Sequence, residues 1–219
     1  MEPVFRPAST SLIPGHDAQL RIHPPLAHPP FLVVEGLDGT GKSTVSRLLA
    51  TSLGAEWLST PMAELATQRP LIEQAFSGSA QGLRLFYAAT VQAASDRARL
   101  NRQAGRGTVV DRYWLSTVTY AEVAGETDLP FAALGANLLV PDLTVFLVAP
   151  LAVRQERMTR RGKLTAADRR TLDPREEQRL LATYDKHAAS FCGARRAVLD
   201  VGDLEPAGVV EAIRRRMES

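Results

Sequence analysis

The chain has 219 residues, 45% of them hydrophobic, which is enough for one α/β domain with a buried core. A formal net charge of +2 gives no strong electrostatic support for nucleic-acid binding, and the sequence has neither an apolar run long enough to cross a membrane nor a signal-peptide pattern. The single cysteine, Cys192, cannot form an internal disulfide, so we expect a protein of the reducing cytoplasm.

Residues 1–30 differ from the rest of the chain in composition. They hold half of its 14 prolines, together with His16, His23 and His28. Proline-rich segments favour extended or irregular backbone, so we expect an N-terminal extension that packs on the sheet edge, contributes to a dimer or is loose. The histidines are widely spaced and no cysteine or acidic cluster accompanies them, so a metal site is the weaker interpretation.

From Phe31 onwards, short apolar segments alternate with helical patterns. Unbroken apolar segments are typical of strands that are buried on both faces of a sheet. The alternation predicts a five-stranded parallel sheet with helices on both faces, a three-layer α/β sandwich over residues 31–219. The predicted strands are 31–35, 56–59, 108–111, 143–148 and 197–201, and the predicted helices are 42–53, 82–103, 114–124, 151–161, 174–190 (with Asp173 as its cap) and 206–217.

A phosphate-binding loop lies between the first predicted strand and the first predicted helix. Residues 36–43 fit the pattern Gly-x4-Gly-Lys-Ser/Thr, which indicates a P-loop NTPase-type domain. The glycines let backbone N–H groups turn towards an anion, and the N-terminus of the helix adds partial positive charge. Lys42 is placed for the β- and γ-phosphates of ATP, and the Ser43 hydroxyl for Mg²⁺. The residues expected to bind ATP are Gly36, Leu37, Asp38, Gly39, Thr40, Gly41, Lys42, Ser43 and Thr44.

A second group of polar residues follows the predicted strand 108–111. The carboxyl end of a parallel strand faces the ligand crevice of an α/β sheet. Asp111 is therefore placed to hold a Mg²⁺-bound water, and Arg112 to bind a second phosphate through two hydrogen bonds. The alternative is a helix cap at Asp111 and a surface ion pair at Arg112. The phosphate-binding loop upstream favours the ligand-binding interpretation.

These motifs resemble those of the thymidylate kinase family, over a stretch from Phe31 to about Met217. Residues 110–121 look closest to the mitochondrial-type UMP/CMP kinase branch of that family. The resemblance is carried by residues 35–44, by Asp111-Arg112-Tyr113 with Ser116 and Tyr120, by the strand-like segment 141–147, and by Arg157 to Arg161 as the start of a lid.

The resemblance implies Mg²⁺-dependent transfer of the ATP γ-phosphoryl group to a nucleoside monophosphate. Asp38 matches the family's loop aspartate, which lies near the sugar and phosphate of the acceptor, and Arg112 matches the arginine on the acceptor phosphate. Tyr120 matches the residue beside the sugar 2′ position, and Phe86 the ring that stacks on the acceptor base. The family is usually homodimeric, which implies a homodimer here.

The loop has no arginine at positions 37–40, so the chain resembles members whose catalytic arginine comes from the lid, here about residues 157–172. We expect Arg161 to fill that role, with Arg157 nearer the adenine and phosphates. The alternative is a solvated basic helix face, but Gly162 and the polar segment after it favour a closing lid. The other candidates are Arg160, Arg169 and Arg170.

The acceptor site departs from the family pattern in three places, one of which is Ala121, where the family commonly has a glutamine after the Tyr120 position. Residues 59–61 read Ser-Thr-Pro where thymidylate kinases usually have Arg-Glu-Pro, so an arginine for the acceptor phosphate is missing; Arg69 or Arg84 are candidates to replace it. Thr90 stands four residues after Phe86, where the family has an arginine that contacts the thymine carbonyl. Losing that donor weakens selection for thymine, because a site built around a base-edge hydrogen bond discriminates strongly.

We therefore expect an ATP-dependent kinase of a pyrimidine nucleoside or deoxynucleoside monophosphate, with dTMP, dUMP, UMP, CMP and dCMP as candidate acceptors. The expected acceptor-binding residues are Asp38, Phe86, Thr90, Arg112 and Tyr120. A kinase of a nucleoside or another small hydroxyl-bearing metabolite is the alternative, favoured by the missing arginine. A nucleotide-binding module without catalysis is a third, and the intact loop lysine and strand-end aspartate argue against it.

Overall fold

Strands and helices alternate along the chain in the computed structural model, which describes residues 5–6, 26–125, 128–162, 166–192 and 196–218. The strands are β1 (Phe5–Arg6), β2 (Phe31–Gly36), β3 (Glu56–Ser59), β4 (Thr108–Asp111), β5 (Leu143–Val148) and β6 (Arg196–Asp200). The helices are α1 (Lys42–Ser52), α2 (Arg69–Ala75), α3 (Ala80–Gln103), α4 (Trp114–Val123), α5 (Phe131–Gly135), α6 (Leu151–Arg160), α7 (Ala166–Thr171), α8 (Pro174–Phe191) and α9 (Pro206–Glu218).

The sheet has the order β1-β6-β5-β2-β4-β3, and β2 to β6 are all parallel. This confirms the predicted five-stranded parallel sheet. Strand β2 lies at its centre, where Val34 pairs with Asp111 of β4 and Gly36 pairs with Leu147 of β5. The segments that leave the carboxyl ends of β2 and β4 therefore start side by side.

A short strand from the N-terminal extension lies on one edge of the sheet. Strand β1 runs antiparallel to β6, and its Phe5 pairs with Leu199. Three arrangements were expected for the extension: packing on the sheet edge, contributing to a dimer, or being loose. Phe5 and Arg6 pack on the sheet edge. His16 and His23 lie outside the described residues, and His28 lies 3.7 Å (Nε2) from the Asp142 carboxylate.

Alternate residues of the strands face two helical layers. On one face, Leu32 and Val34 belong to a core cluster with residues of α1 and α9. On the other face, Phe31 and Val33 pack with α3 and α4, while Phe146 packs with α8. Because both faces of β2, β4 and β5 are buried, these strands could be predicted from their largely apolar sequence, whereas all four residues of β3 are only partly buried. In the part of the chain that the structure describes, no helix has the length and apolar character to span a membrane.

The long helices agree with the sequence patterns, whereas three short ones do not appear in them. Helix α8 begins as predicted, since the Asp173 side chain accepts hydrogen bonds from the backbone N–H groups of Arg175 (2.9 Å) and Glu176 (3.1 Å). The helices α2, α5 and α7 are five to seven residues long. Helices of that length bury too few apolar residues to give a readable period.

Candidate active site

The phosphate-binding loop leaves β2 at the centre of the sheet through a backbone that only glycine adopts easily. Gly36 has φ 142°, and a Cβ atom there would lie 2.5 Å from the carbonyl oxygen of Leu147. Gly39 has φ 85°, and its Cβ would lie 2.9 Å from both the Arg154 carbonyl oxygen and the Met158 sulfur. The loop is thus packed closely between β5 and α6.

The Lys42 ammonium is buried beneath this loop. The side chain is 6% exposed, donates a hydrogen bond of 2.7 Å to the Leu37 carbonyl, and lies 3.7 Å from Asp38 Oδ1. Burial and the neighbouring Arg112 lower the pKa of Lys42 to about 8, although Asp38 and Asp111 oppose the shift. The carboxylates around Lys42 offset its burial only in part, and an incoming phosphate would add negative charge beside it.

Asp111 and Ser43 form a pair at the start of α1. The Ser43 hydroxyl donates to Asp111 Oδ2 at 2.5 Å, while the buried Asp111 Oδ1 has no hydrogen-bond partner among the described residues. An oxygen in that position fits a Mg²⁺-bound water, and the serine hydroxyl fits the metal itself. The described residues contain no group of three or more His, Cys, Asp or Glu side chains that could hold a metal.

Arg112 stands in a left-handed backbone conformation at the carboxyl end of β4, with φ 67°. Its guanidinium binds the Asp38 carboxylate, donates to the Ser116 hydroxyl at 3.2 Å, and lies 5.5 Å from the centre of the Tyr120 ring. Burial alone would raise the pKa of Asp38, but Arg112 and Lys42 hold it well below its usual range. Both cations approach the same Asp38 oxygen, Oδ1.

The segment that lacks the expected arginine contacts the backbone of Arg112. The Thr60 hydroxyl donates to the Arg112 carbonyl at 3.0 Å, and the Thr60 N–H donates to the Asp111 carbonyl at 3.1 Å. Residue 60 thus fixes the backbone that carries the candidate acceptor-phosphate arginine.

Replacing Thr60 by valine tests this contact, because valine keeps the shape and loses the donor. We expect the unfolding free energy of Thr60→Val to fall by about 1 kcal/mol and the KM of the acceptor to rise about 5-fold. Thermal denaturation and steady-state kinetics with the acceptor varied measure the two effects. Thr60→Ser keeps the hydroxyl and is expected to behave like the unaltered protein; equal losses in both variants would contradict the role of the hydrogen bond.

A buried carboxylate is linked to Arg112 through the Ser116 hydroxyl. Glu35 is fully buried and accepts hydrogen bonds from the Tyr113 N–H (2.9 Å), the Ser116 N–H (3.2 Å) and the Ser116 hydroxyl (2.5 Å). Burial raises the pKa of Glu35, while those donors and Arg112 act against the rise. The Ser116 hydroxyl also lies 2.9 Å from the Tyr184 hydroxyl, which joins α8 to the network.

The residues expected to meet the acceptor base and sugar lie on α3 and α4. The Phe86 ring is stacked on Phe76 with centroids 6.3 Å apart. The buried Thr90 hydroxyl donates to the Tyr87 carbonyl at 2.7 Å, so its only hydrogen is used within its own helix. The Tyr120 hydroxyl is buried without a hydrogen-bond partner among the described residues, and burial raises its pKa to about 12.

Comparison with known proteins agrees with this geometry. The family model for thymidylate kinase matches residues 34–194. The chain belongs to the thymidylate kinase family. It is accordingly a phosphotransferase, a nucleoside monophosphate kinase of the thymidylate kinase type.

Two curated relatives illustrate the similarity. The chain is 30% identical over 134 residues to a probable thymidylate kinase of Methanocaldococcus jannaschii. The matched region covers 58% of this chain and 69% of the relative. It is 33% identical over 149 residues to the thymidylate kinase of Alteromonas mediterranea, covering 61% of this chain and 67% of that one.

Solved structures show the same fold at lower identity. A thymidylate kinase from Candida albicans superposes with a TM-score of 0.69 at 20% identity, covering 87% of this chain and 92% of that one. A deoxyadenosine kinase from M. mycoides superposes with a TM-score of 0.62 at 17% identity, covering 86% and 100%. At these identities the likeness extends to the fold alone.

The arginines expected in the lid of this thymidylate kinase family member are dispersed. Arg157 donates to the carbonyls of Val201 (2.8 Å) and Gly202 (3.3 Å), so it contacts the loop after β6. Arg160 binds Glu156 on the surface, and Arg161 follows it at the exposed end of α6. Arg169 and Arg170 are exposed on α7. Their catalytic roles stay predictions.

The two arginines expected to replace the missing phosphate contact lie near α3. Arg69 begins α2, binds Glu73 at 2.8 Å and lies 5.9 Å from the centre of the Tyr87 ring. Arg84 lies in the first turns of α3, two residues before Phe86. Arg69 thus lies beside Tyr87, the neighbour of the ring expected at the acceptor base, and the role of both arginines stays a prediction.

Sequence reasoning missed one arginine that the structure places against the loop. Arg154 of α6 is 1% exposed, and its Nε donates to the Asp38 carbonyl at 2.8 Å. Its position inside the basic stretch of α6 gave no sign of this burial. In the sequence, Glu35 belongs to a motif and gives no direct sign of its hydrogen-bond network. The signal that could have revealed the network is an acidic residue directly after the four apolar residues 31–34.

Proposed function

We propose that this chain transfers the γ-phosphoryl group of ATP to a pyrimidine nucleoside monophosphate, with dTMP as the first candidate acceptor. The observation that carries the proposal is the approach of Lys42 and Arg112 to one oxygen of Asp38. Two cations on neighbouring loops, joined by one carboxylate, suit a donor phosphate beside an acceptor phosphate. Phosphoryl transfer needs this in-line placement and positive charge more than covalent help.

In this proposal, each residue around Asp38 has a defined role. Lys42 and the loop N–H groups hold the β- and γ-phosphates, and Arg112 binds the acceptor phosphate with its planar fork. Asp38 keeps the two cations in place before the nucleotides arrive and lies beside the acceptor afterwards. Ser43 and Asp111 would hold Mg²⁺, which supplies charge neutralisation on the phosphates when bound.

The acceptor contacts support a site with relaxed choice of base. The Thr90 hydroxyl hydrogen is used by its own helix, so it donates no hydrogen bond to a thymine carbonyl. A site without that donor distinguishes thymine from uracil and cytosine weakly. The UMP/CMP-type branch suggested by residues 110–121 is consistent with this, and UMP, CMP, dUMP and dCMP are proposed as secondary acceptors.

A panel of acceptors with ATP and Mg²⁺ tests the proposal. We expect ADP release with at least one of dTMP, dUMP, UMP, CMP and dCMP. The preference for dTMP over the best alternative is expected to stay below about 200-fold, since a pocket that reads a methyl group without a base-edge hydrogen bond gains only about 1–3 kcal/mol. ADP release with none of them would overturn the proposal. Turnover of thymidine or cytidine but not of their monophosphates would identify a nucleoside kinase instead, which the missing arginine at residues 59–61 favours.

We also propose a homodimer that forms through α3. This helix exposes Leu85 and Leu100, with Ala89 and Ala93 exposed between them on the same side. These apolar residues, with the exposed Asp96 between Ala93 and Leu100, form a face that suits burial against a second copy. The expected mass by light scattering is twice the 23.8 kDa of one chain, and a monomer at micromolar concentration would contradict the proposal.

A further inference from the structure

Arg154 is the largest fully buried side chain among the described residues. Its guanidinium contacts three segments that are distant in sequence. Nε donates to the Asp38 carbonyl of the phosphate-binding loop at 2.8 Å, Nη2 donates to the Thr171 carbonyl at the end of α7, and Nη1 binds the Glu177 carboxylate in the first turn of α8.

Burying a guanidinium is unfavourable unless its hydrogen bonds and its charge are matched. Here each group of donors has an acceptor, and Glu177 supplies the counter-charge. The three acceptors are therefore held at fixed positions relative to one planar fork. The backbone of α6 adds a second restraint, because it leaves no room for a Cβ atom on Gly39.

The contact reaches the reacting groups only through Asp38. The Asp38 carbonyl binds Arg154, and its carboxylate binds Arg112 and lies 3.7 Å from Lys42. A shift of the residue 38 backbone would move the carboxylate that holds both candidate phosphate-binding cations. Arg154 itself has its donors turned towards protein acceptors and is closed off from solvent.

We propose that Arg154 is a positioning residue for phosphoryl transfer, which fixes the phosphate-binding loop at Asp38 relative to α7 and α8. The role rests on the proposed kinase function. The positioning role predicts that loss of the guanidinium lowers kcat by a larger factor than it raises either KM. Nucleotides still bind, but the loop no longer holds them in the reactive geometry. A misplacement of about 1 Å is enough to reduce a rate about 100-fold.

The variant Arg154→Met alone would leave the Glu177 carboxylate without its partner, which could destabilise the fold. The double variant Arg154→Met/Glu177→Gln removes that unpaired charge. We expect the double variant to melt close to the unaltered protein and yet to have a kcat lower by about 30- to 100-fold, with both KM values changed less than threefold. The matched control is Arg215→Met/Glu211→Gln, which removes an exposed ion pair between arginine and glutamate on α9. We expect this control to keep full activity.

Amide hydrogen exchange supplies a readout that does not depend on turnover. We expect faster exchange at residues 38–41 in the double variant, with exchange in β4 and β5 unchanged. If the double variant has both the kcat and the melting temperature of the unaltered protein, or if its loop exchange is unchanged, Arg154 only stabilises the fold and the proposal is wrong. If the unaltered protein phosphorylates no acceptor, the proposed function fails, while the exchange measurement still decides whether Arg154 positions the loop.

Discussion

Replacing Lys42 by methionine is expected to reduce kcat by about 10²- to 10³-fold, which corresponds to about 3–4 kcal/mol of lost transition-state stabilisation. The ammonium is buried next to the Leu37 carbonyl and the Asp38 carboxylate, so no solvent cation takes its place. Methionine has a similar length and fills the same space. Steady-state kinetics at saturating ATP and acceptor measure the change.

The same substitution is expected to leave the melting temperature unchanged or higher. Burial lowers the pKa of Lys42, which means that the folded protein holds its charged form unfavourably. Removing that charge relieves the cost, so loss of activity is separated from loss of fold. Lys186→Met is the matched control, because Lys186 is an exposed lysine bound to Glu122 on the outer helices. A Lys42→Met enzyme with kcat within threefold of the unaltered protein would contradict the assignment.

Replacing Arg112 by lysine is expected to lower kcat/KM for the acceptor by about 10²-fold or more, which is about 3 kcal/mol. Lysine keeps the charge and the same backbone preferences, but it lacks the planar fork that binds a phosphate through two hydrogen bonds. It also cannot reach Asp38 and Ser116 together, as the guanidinium does. The KM of ATP is expected to change less than threefold.

The control for Arg112 is Arg97, another arginine whose guanidinium binds a carboxylate through two nitrogens. Arg97 donates from Nε and Nη2 to the Glu56 carboxylate at 2.8–3.1 Å, near the start of β3 and away from the carboxyl ends of the strands. Arg97→Lys is expected to leave both KM values unchanged. A rise in the KM of ATP instead of the KM of the acceptor in Arg112→Lys would move Arg112 to the donor side and contradict its role.

Local sequence rules were sufficient for the sheet and the loop. Strand β2 is buried along its whole length and begins with four apolar residues, and the glycines at 36, 39 and 41 occur where the backbone has positive φ. The start of α8 followed from Asp173 and Pro174. These features depend on residues close in sequence, which a single chain displays directly.

Features that depend on distant neighbours could not be predicted. An arginine in a basic helix is normally solvated, and Arg154 is buried only because Asp38, Thr171 and Glu177 converge on it. One local contact was not predicted either: the Thr90 hydroxyl, expected at the acceptor base, donates instead to the Tyr87 carbonyl of its own helix. Helix α2 has no buried residues, so nothing in its sequence period marks it.

The burial of Cys192 gives this protein an internal reporter of its own motions. Cys192 follows the last residue of α8 and belongs to one core cluster with Phe146 and Tyr184, and burial raises the pKa of its thiol to about 12. An alkylating reagent needs an accessible thiolate, so we expect it to react when the carboxyl end of α8 leaves the core. The same helix carries the Tyr184 hydroxyl beside Ser116 and the Glu177 carboxylate on Arg154. The alkylation rate of one native cysteine therefore records how often the support of the active site opens.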